Sequence, residues 1–87
     1  MLEDFGVGSI IEVDSKEGVV IYVRKHNDKD YAIVKFKSEK AEEQLALFEI
    51  IIKNGKLFFR EEKDKEIISD VYLRFIIEVS EEADYSA

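Results

Sequence analysis

The chain contains one histidine, His26, in a polar stretch that also holds Asp28 and Asp30. An imidazole nitrogen and two carboxylates form a ligand set that several divalent metals accept. A zinc site needs further His or Cys ligands, and a calcium loop needs a central Gly and a closing Glu, none of which this stretch provides. We therefore interpret 25–30 as a solvated connection, and we predict no metal and no cofactor.

The residue patterns of hydrolases and nucleotide-dependent enzymes are missing. None of the serines lies in a Gly-x-Ser-x-Gly sequence. Adjacent acids such as Glu42 and Glu43 diverge on a helix or a strand, so they do not converge on one scissile bond. Gly6 and Gly8 begin a dinucleotide fingerprint, but Ile11 stands where its third glycine would fall. We expect a non-enzymatic protein with no catalytic residue and no small-molecule substrate.

Two neighbouring segments combine aromatic with basic residues. Side chains two apart on a strand share one face of the sheet, and aromatic rings beside basic groups suit base stacking with phosphate contacts. An ordinary exposed sheet face has the same composition, because Lys protects sheet edges from aggregation. The candidate nucleic-acid residues are Tyr22, Arg24, Tyr31, Lys35 and Lys37.

The charge distribution weighs against nucleic acid as the main partner. The net charge is −7, whereas nucleic-acid binding gains affinity from neutralised phosphates. Residues 14–40 carry seven basic against five acidic side chains, and 41–87 carry six against twelve. Cys, Trp, Pro and Thr are absent while Lys, Glu and Ile are frequent, a composition similar to that of thermophile proteins. No apolar run approaches the ~20 residues of a transmembrane helix, so we expect a cytoplasmic protein without a membrane partner.

Three segments in the first half of the chain have the pattern of β-strands. A short apolar-rich run at 9–13 leads into the polar cluster 14–18, which we interpret as a turn closed by Gly. The run 19–24 is almost entirely β-branched or aromatic. The alternation in 31–37 predicts a half-buried strand, with Ala32, Val34 and Phe36 on one face and Ile33, Lys35 and Lys37 on the other.

Asn54-Gly55 predicts a β-hairpin with a two-residue loop. Both central residues of a type I′ turn have positive φ, which Asn and Gly adopt at least cost. The loop fixes the register, so Glu49 lies opposite Arg60 as a cross-strand ion pair. Both faces are apolar and need cover from a barrel, a helix or another subunit. The apolar residues, which we take as the partner-binding site, are Ile50, Ile51, Ile52, Leu57, Phe58 and Phe59.

The segment 67–79 fits either a strand or a helix. We expect the helix, because it places Asp70, Arg74 and Glu78 at successive i,i+4 positions, with Ser69 or Asp70 as its cap. The high content of β-branched residues favours the strand. The helix would bury Ile68, Val71, Tyr72, Phe75, Ile76 and Val79.

The remaining segments set the domain limits. Ser38 followed by good helix formers favours a helical turn or two that ends near Leu45. No linker divides the chain, and the end is polar and acidic. We place one domain at 1–80 and a flexible acidic tail at 81–87.

Three stretches resemble the opening of small SH3-like barrels of the Tudor and KOW type. In those modules a strand after a glycine is followed by Gly-Val and a hydrophobic residue, and then by a strand ending near Val-x-Phe. The stretches lie within 5–37 and read Phe5-Gly6-Val7-Gly8-Ser9-Ile10-Ile11, Gly18-Val19-Val20-Ile21-Tyr22-Val23 and Tyr31-Ala32-Ile33-Val34-Lys35-Phe36.

This resemblance implies a small SH3-like barrel. Together with the pattern of 67–79, it leads us to expect a mainly β (α+β) fold, a small SH3-like barrel of about five antiparallel strands with a C-terminal helix, or with a sixth strand in its place. Such modules usually serve nucleic-acid machinery as binding units, through an aromatic cage, a basic strand face or an edge strand. The chain lacks Trp for a methyl-lysine cage, and no site residue carries over by motif.

The apolar load of the hairpin at 49–60 exceeds what so short a chain covers easily. We therefore expect a protein-binding accessory subunit or adaptor that docks through this hairpin, on a protein partner or as a homodimer. The alternative is a nucleic-acid-binding module that uses the basic and aromatic face.

Overall fold

A computed structural model describes residues 5–36 and 44–86, with side chains through residue 81. Five antiparallel strands follow one another in one sheet, in the order β1-β2-β3-β4-β5. The sheet curls into a nearly closed barrel, which a long C-terminal helix accompanies, as predicted. The elements are β1 (Ile10–Val13), β2 (Lys16–His26), β3 (Lys29–Phe36), β4 (Gln44–Lys53), β5 (Lys56–Glu61) and α1 (Lys65–Ser86).

Three of the strand connections are two-residue loops in which both residues have positive φ. These loops are Asp14-Ser15, Asn27-Asp28 and Asn54-Gly55, and positive φ at both positions is the mark of type I′ turns. The third loop confirms the prediction, whereas the first two correct it. The turn predicted at 14–18 is shorter and leaves Gly18 inside β2, and the connection predicted at 25–30 is mostly paired strand.

The register of the β4–β5 hairpin is the predicted one. Arg60 Nη2 lies 2.5 Å from Glu49 Oε1, so the expected cross-strand ion pair forms. A two-residue loop leaves the strands no freedom to slip, since a slip by one residue would turn every side chain to the other face. The observed partners are Lys53 with Lys56, Ile52 with Leu57, Ile51 with Phe58, Ile50 with Phe59 and Glu49 with Arg60.

The sheet has an apolar cluster on each face, and β3 contributes to both. Ala32, Val34 and Phe36 lie on the inner face, as predicted, in a cluster inside the barrel that also includes Ile11, Val20, Phe48 and Ile50. On the other face Ile33 is 0% exposed and Tyr31 is 1% exposed. The prediction of a half-buried strand is therefore wrong, because helix α1 covers this second face.

Helix α1 confirms the helical interpretation of the last segment and starts earlier than expected. Asp64 Oδ1 accepts a hydrogen bond of 2.9 Å from Glu66 N, so Asp64 is the cap and the predicted caps Ser69 and Asp70 lie within the helix. Its buried face includes Val71, with Ile67, Ile68, Tyr72 and Phe75 partly buried against the outer cluster.

Two residues predicted to be buried by this helix are exposed. Ile76 is 58% and Val79 is 48% exposed, because the cluster that the helix packs on ends with Phe75 against Tyr22. The helix continues to Ser86, well beyond the predicted end at Val79. The domain limit at residue 80 and the flexibility of 81–87 stay predictions.

The helical turn predicted to end near Leu45 falls mostly on 38–43, outside the described residues. Gln44 and Leu45 are the first residues of β4 and pair with Phe36 and Lys35. At this end the prediction of a helix is wrong, because strand pairing with β3 overrides the local helix propensity.

Candidate protein-docking surfaces

The apolar residues of the β4–β5 hairpin divide between the core and the surface. Ile50 is 7% exposed and belongs to the inner cluster, and Leu57 and Phe59 pack against that cluster. The Phe59 ring also lies 5.7 Å from the Phe5 ring, which joins the last strand to the chain before β1. These three of the six predicted docking residues hold the barrel together.

The other three residues lie at the tip of the hairpin. Ile51 is half-buried, whereas Ile52 is 51% and Phe58 is 49% exposed. Ile52 and Phe58 are on opposite faces, since Phe58 pairs with Ile51 and neighbouring residues alternate. The tip therefore presents an apolar side chain on each face.

Two lysines frame the apolar tip. Lys53 and Lys56 are paired across the strands, are both exposed, and share a face with Ile51 and Phe58. This face of the tip is basic and apolar in a chain of net charge −7. A partner that fits it offers an apolar pocket with an acidic rim.

The aromatic and basic face predicted for nucleic acid lies largely under helix α1. The Tyr22 ring packs 5.2 Å from the Phe75 ring, and its hydroxyl donates a hydrogen bond to Glu78. Arg24 Nη1 lies 3.9 Å from the same carboxylate. Tyr31 is buried, so the structure brings these three residues together but turns them towards the helix.

A fourth candidate residue lies farther along β3. Lys35 is half-buried and lies opposite Val19 and Leu45. Lys37 is outside the described residues. Strands β2 and β3 therefore do not present to solvent an open face on which all five residues could contact nucleic acid.

The contacts under the helix shift the pKa values of several groups. Burial raises the pKa of Tyr31 above its ordinary value of 10.0, and a hydrogen bond to Glu62 adds to the rise. Burial likewise raises the pKa of Tyr22, with the hydrogen bond to Glu78 as the next cause. The pKa of Glu62 is lowered, chiefly by the backbone N–H of Asp64. These shifts belong to contacts that fix the helix on the sheet.

A groove that the sequence analysis missed runs between β2 and the flank of α1. It has a volume of about 450 Å³. His26 Nε2 lies at 3.9 Å from Asp70 Oδ2 across it. The sequence does not indicate this groove, because the groove depends on how helix α1 is placed beside strand β2. The lining residues are Arg24, His26, Asp70, Leu73, Arg74 and Ile77.

A second cleft, of about 530 Å³, opens at one end of the barrel. Its apolar lining includes Val13, Phe36 and Phe59, and its charged lining residues are Asp14, Lys16 and Glu61. The lining joins the end of β3 to the start of β4, on either side of 37–43. Among the side chains of 5–36 and 44–81, no three of His, Cys, Asp or Glu are arranged to hold a metal ion.

Comparison with known proteins gives no match to a family model, to a curated protein or to a solved structure. Within the part of the chain that the structure describes, no helix has the length and apolar character needed to span a membrane.

Proposed function

We propose that this protein is a non-enzymatic binding module, an accessory subunit or adaptor that docks on another protein through the tip of the β4–β5 hairpin. The observation that carries the proposal is the exposure of Ile52 and Phe58, 51% and 49%, on a hairpin whose base is buried. Apolar side chains on a rigid support bind at low entropic cost, because little conformational freedom is lost when they dock.

The chemistry of the tip indicates what kind of partner would fit it. Ile51, Ile52 and Phe58 supply the apolar contact, and Lys53 and Lys56 supply positive charge beside it. Aromatic residues near the centre of an interface carry much of the binding energy. We therefore assign Phe58 as the anchor and an acidic, apolar groove as its receptor.

The barrel supports an SH3-like module, and we include the Tudor or KOW type in the proposal. The support is a five-stranded antiparallel meander that is nearly closed. Fold alone carries no function, so the docking surface rests on the exposed tip and not on the barrel type.

Nucleic-acid binding is the second hypothesis, and the geometry favours it less. Tyr31 is 1% exposed, and both Tyr22 and Arg24 face Glu78, whose charge repels phosphates. The test is light scattering with a mixed-sequence single-stranded oligonucleotide at low salt. A complex that dissociates as salt rises would support this hypothesis against ours.

The docking proposal is tested by affinity capture from extract of the source cells with three immobilised proteins. We expect the wild type and an Ile10→Ser variant to capture the same partner, and an Ile52→Ser/Phe58→Ser variant to lose it. Ile10 is the matched control, because it is an apolar strand residue that is 69% exposed and lies in β1, outside the β4–β5 hairpin. Direct titration of the purified partner then gives the change in affinity, for which we expect a loss of about 100-fold.

Equal capture by the wild type and the double variant would overturn the assignment of the tip. Circular dichroism checks that the variants are folded, which the exposure of the substituted residues leads us to expect.

A further inference from the structure

Strand β2 has a free edge over its second half. Strand β1 pairs only with Lys16–Val19, and the chain just before it reaches as far as Val20. The β2–β3 register then shifts between Val20 and Tyr22. From Tyr22 to His26, β2 pairs with β3 on one side, and on the other side no strand of the described ranges pairs with it. Such an edge presents unpaired backbone N–H and C=O groups that template the addition of a strand.

Helix α1 runs beside this edge in the direction opposite to β2. Asp70 lies near His26, and Glu78, two turns later, contacts Tyr22 and Arg24. The flank of the helix above the edge carries Leu73 and Ile77, which are 58% and 38% exposed. A strand edge and an exposed apolar helix flank thus border the same groove.

We infer that a second copy of this chain occupies the groove, with β2 paired to β2 in antiparallel fashion about a two-fold axis at Val23. The two sheets then join into one continuous sheet, and the two α1 helices lie side by side and antiparallel on the same face. Phe75 lies over Tyr22, whereas Asp70 lies near His26 and Glu78 near Arg24. Taken together, these contacts put the midpoint between Leu73 and Ile77 close to the level of Val23. The same axis that pairs the strands therefore brings Leu73 of each copy to Ile77 of the other.

The charges of the edge exclude two neighbouring registers. A two-fold axis at Arg24 or at Lys25 would place like charges directly opposite one another, which destabilises a strand pair. The axis at Val23 instead places Arg24 opposite the Tyr22 of the second copy, whose hydroxyl binds a Glu78 carboxylate. Each Arg24 then faces two Glu78 side chains, its own and that of the second copy.

Spacing also fits two copies better than a lone added peptide. Neighbouring strands lie about 4.8 Å apart, so helices centred above the β2–β3 pair on each side of the axis stand about 10 Å apart. That is a normal distance for packed helices. An added peptide strand would pair with the edge but leave Leu73 and Ile77 in water.

The inference is tested by analytical ultracentrifugation of the full chain over a wide concentration range, for three proteins. We expect a reversible dimer for the wild type, a dimer dissociation constant at least about tenfold higher for Leu73→Glu, and an unchanged constant for Ile76→Glu. Ile76 is the matched control, since it is 58% exposed like Leu73 and lies on the other flank of the helix. Amide hydrogen exchange of Tyr22–His26 should slow as the wild-type protein becomes dimeric.

A wild-type protein that stays monomeric at millimolar concentration would overturn the inference. So would a dimer that survives Leu73→Glu and is lost on Phe58→Ser, which would place the contact at the hairpin tip. In a monomer, the β2 edge could be protected from hydrogen exchange only after a synthetic (Glu-Val)4 peptide is added. That result would assign the groove to an acidic extended ligand instead. These experiments use the purified chain without the protein partner proposed for the hairpin, so the docking proposal and the dimer can fail independently.

Discussion

The hydroxyl of Tyr31 donates a hydrogen bond of 3.2 Å to Glu62 Oε1, and this contact ties the central strand to the junction between β5 and α1. The other carboxylate oxygen of Glu62 accepts hydrogen bonds of 3.1 Å from the backbone N–H groups of Lys63 and Asp64. Only 9% of the Glu62 side chain is exposed. One carboxylate therefore shapes the turn into the helix and holds it against the sheet.

The first prediction concerns acid stability. The pKa of Glu62 is below its ordinary value of 4.5, so the unfolded chain takes up a proton at higher pH than the folded chain. The stability that this group contributes is fully present above about pH 4.5 and is lost as the pH falls through its folded pKa. We expect Glu62→Gln to lower the free energy of unfolding by about 1–2 kcal/mol at pH 7.

Denaturant titration at several pH values between 3 and 7 checks this prediction. In Glu62→Gln the loss of stability on acidification should be shallower than in the wild type, and in the exposed neighbour variant Glu61→Gln it should be unchanged. Parallel curves for the wild type and Glu62→Gln would contradict the assigned role.

The second prediction concerns the tyrosines under the helix. The pKa of Tyr22 is raised first by burial and then by its hydrogen bond to Glu78, whereas the pKa of Tyr72 is raised by burial alone. Glu78→Gln should therefore lower the pKa of Tyr22 and should leave the pKa of Tyr72 unaffected. NMR titration of tyrosine ring carbons resolves the two residues.

The raised pKa values of Tyr22 and Tyr72 also predict that the protein loses stability at alkaline pH. A raised folded pKa means that the unfolded chain loses its tyrosine protons first, so this stability is present below about pH 10 and is lost as the pH rises through the folded values. An unchanged Tyr22 pKa in Glu78→Gln would show that the carboxylate does not contact the hydroxyl in solution.

The third prediction concerns Gly18, whose place in β2 is set by its neighbours on β3. A Cβ atom at this position would lie 2.6 Å from Val34 Cγ1 and 2.8 Å from Phe36 Cδ1. Gly18→Ala should lower the free energy of unfolding by about 1–3 kcal/mol through overpacking. Thermal and denaturant unfolding measure the loss.

The matched control is Gly6→Ala, because a Cβ at Gly6 would meet no atom within 4 Å. In a Gly18→Ala/Phe36→Leu double variant, a smaller side chain replaces the opposing ring. This variant should recover part of the lost stability. Additive effects of the two substitutions would mean that they do not share the contact.

The sequence predicts those features of the fold that residues close together in the chain determine. The β4–β5 register follows from Asn54-Gly55 alone, because a two-residue turn leaves one pairing. The helical class of α1 follows from its charge spacing. Gly18 adjoins a polar turn in sequence, so its contact with Phe36, which is 18 positions away in the chain, is not visible before the strands are paired.

The candidate surfaces depend on tertiary contacts and are harder to predict. Lys35 and Lys37 make their face of β3 look exposed, but Tyr31 and Ile33 on that face are buried by a helix more than 30 residues later. The groove along β2 requires both the free strand edge and the position of α1, neither of which has a local sequence signal. In the hairpin, the pattern identifies the apolar residues but not which of them the barrel uses.

The last prediction concerns the loop between β2 and β3. Asn27 and Asp28 have φ values of 51° and 64°, the conformation that Asn54 and Gly55 adopt in the other hairpin. A side chain at the second position of such a turn costs energy that Gly does not. Asp28→Gly should therefore raise the free energy of unfolding by about 0.5–1 kcal/mol, since it creates the preferred Asn-Gly pair. Gly55→Asp, the reciprocal change, should lower it by a similar amount, and denaturant titration compares both with the wild type. Destabilisation by Asp28→Gly would show that the Asp28 side chain stabilises the turn by more than its backbone conformation costs.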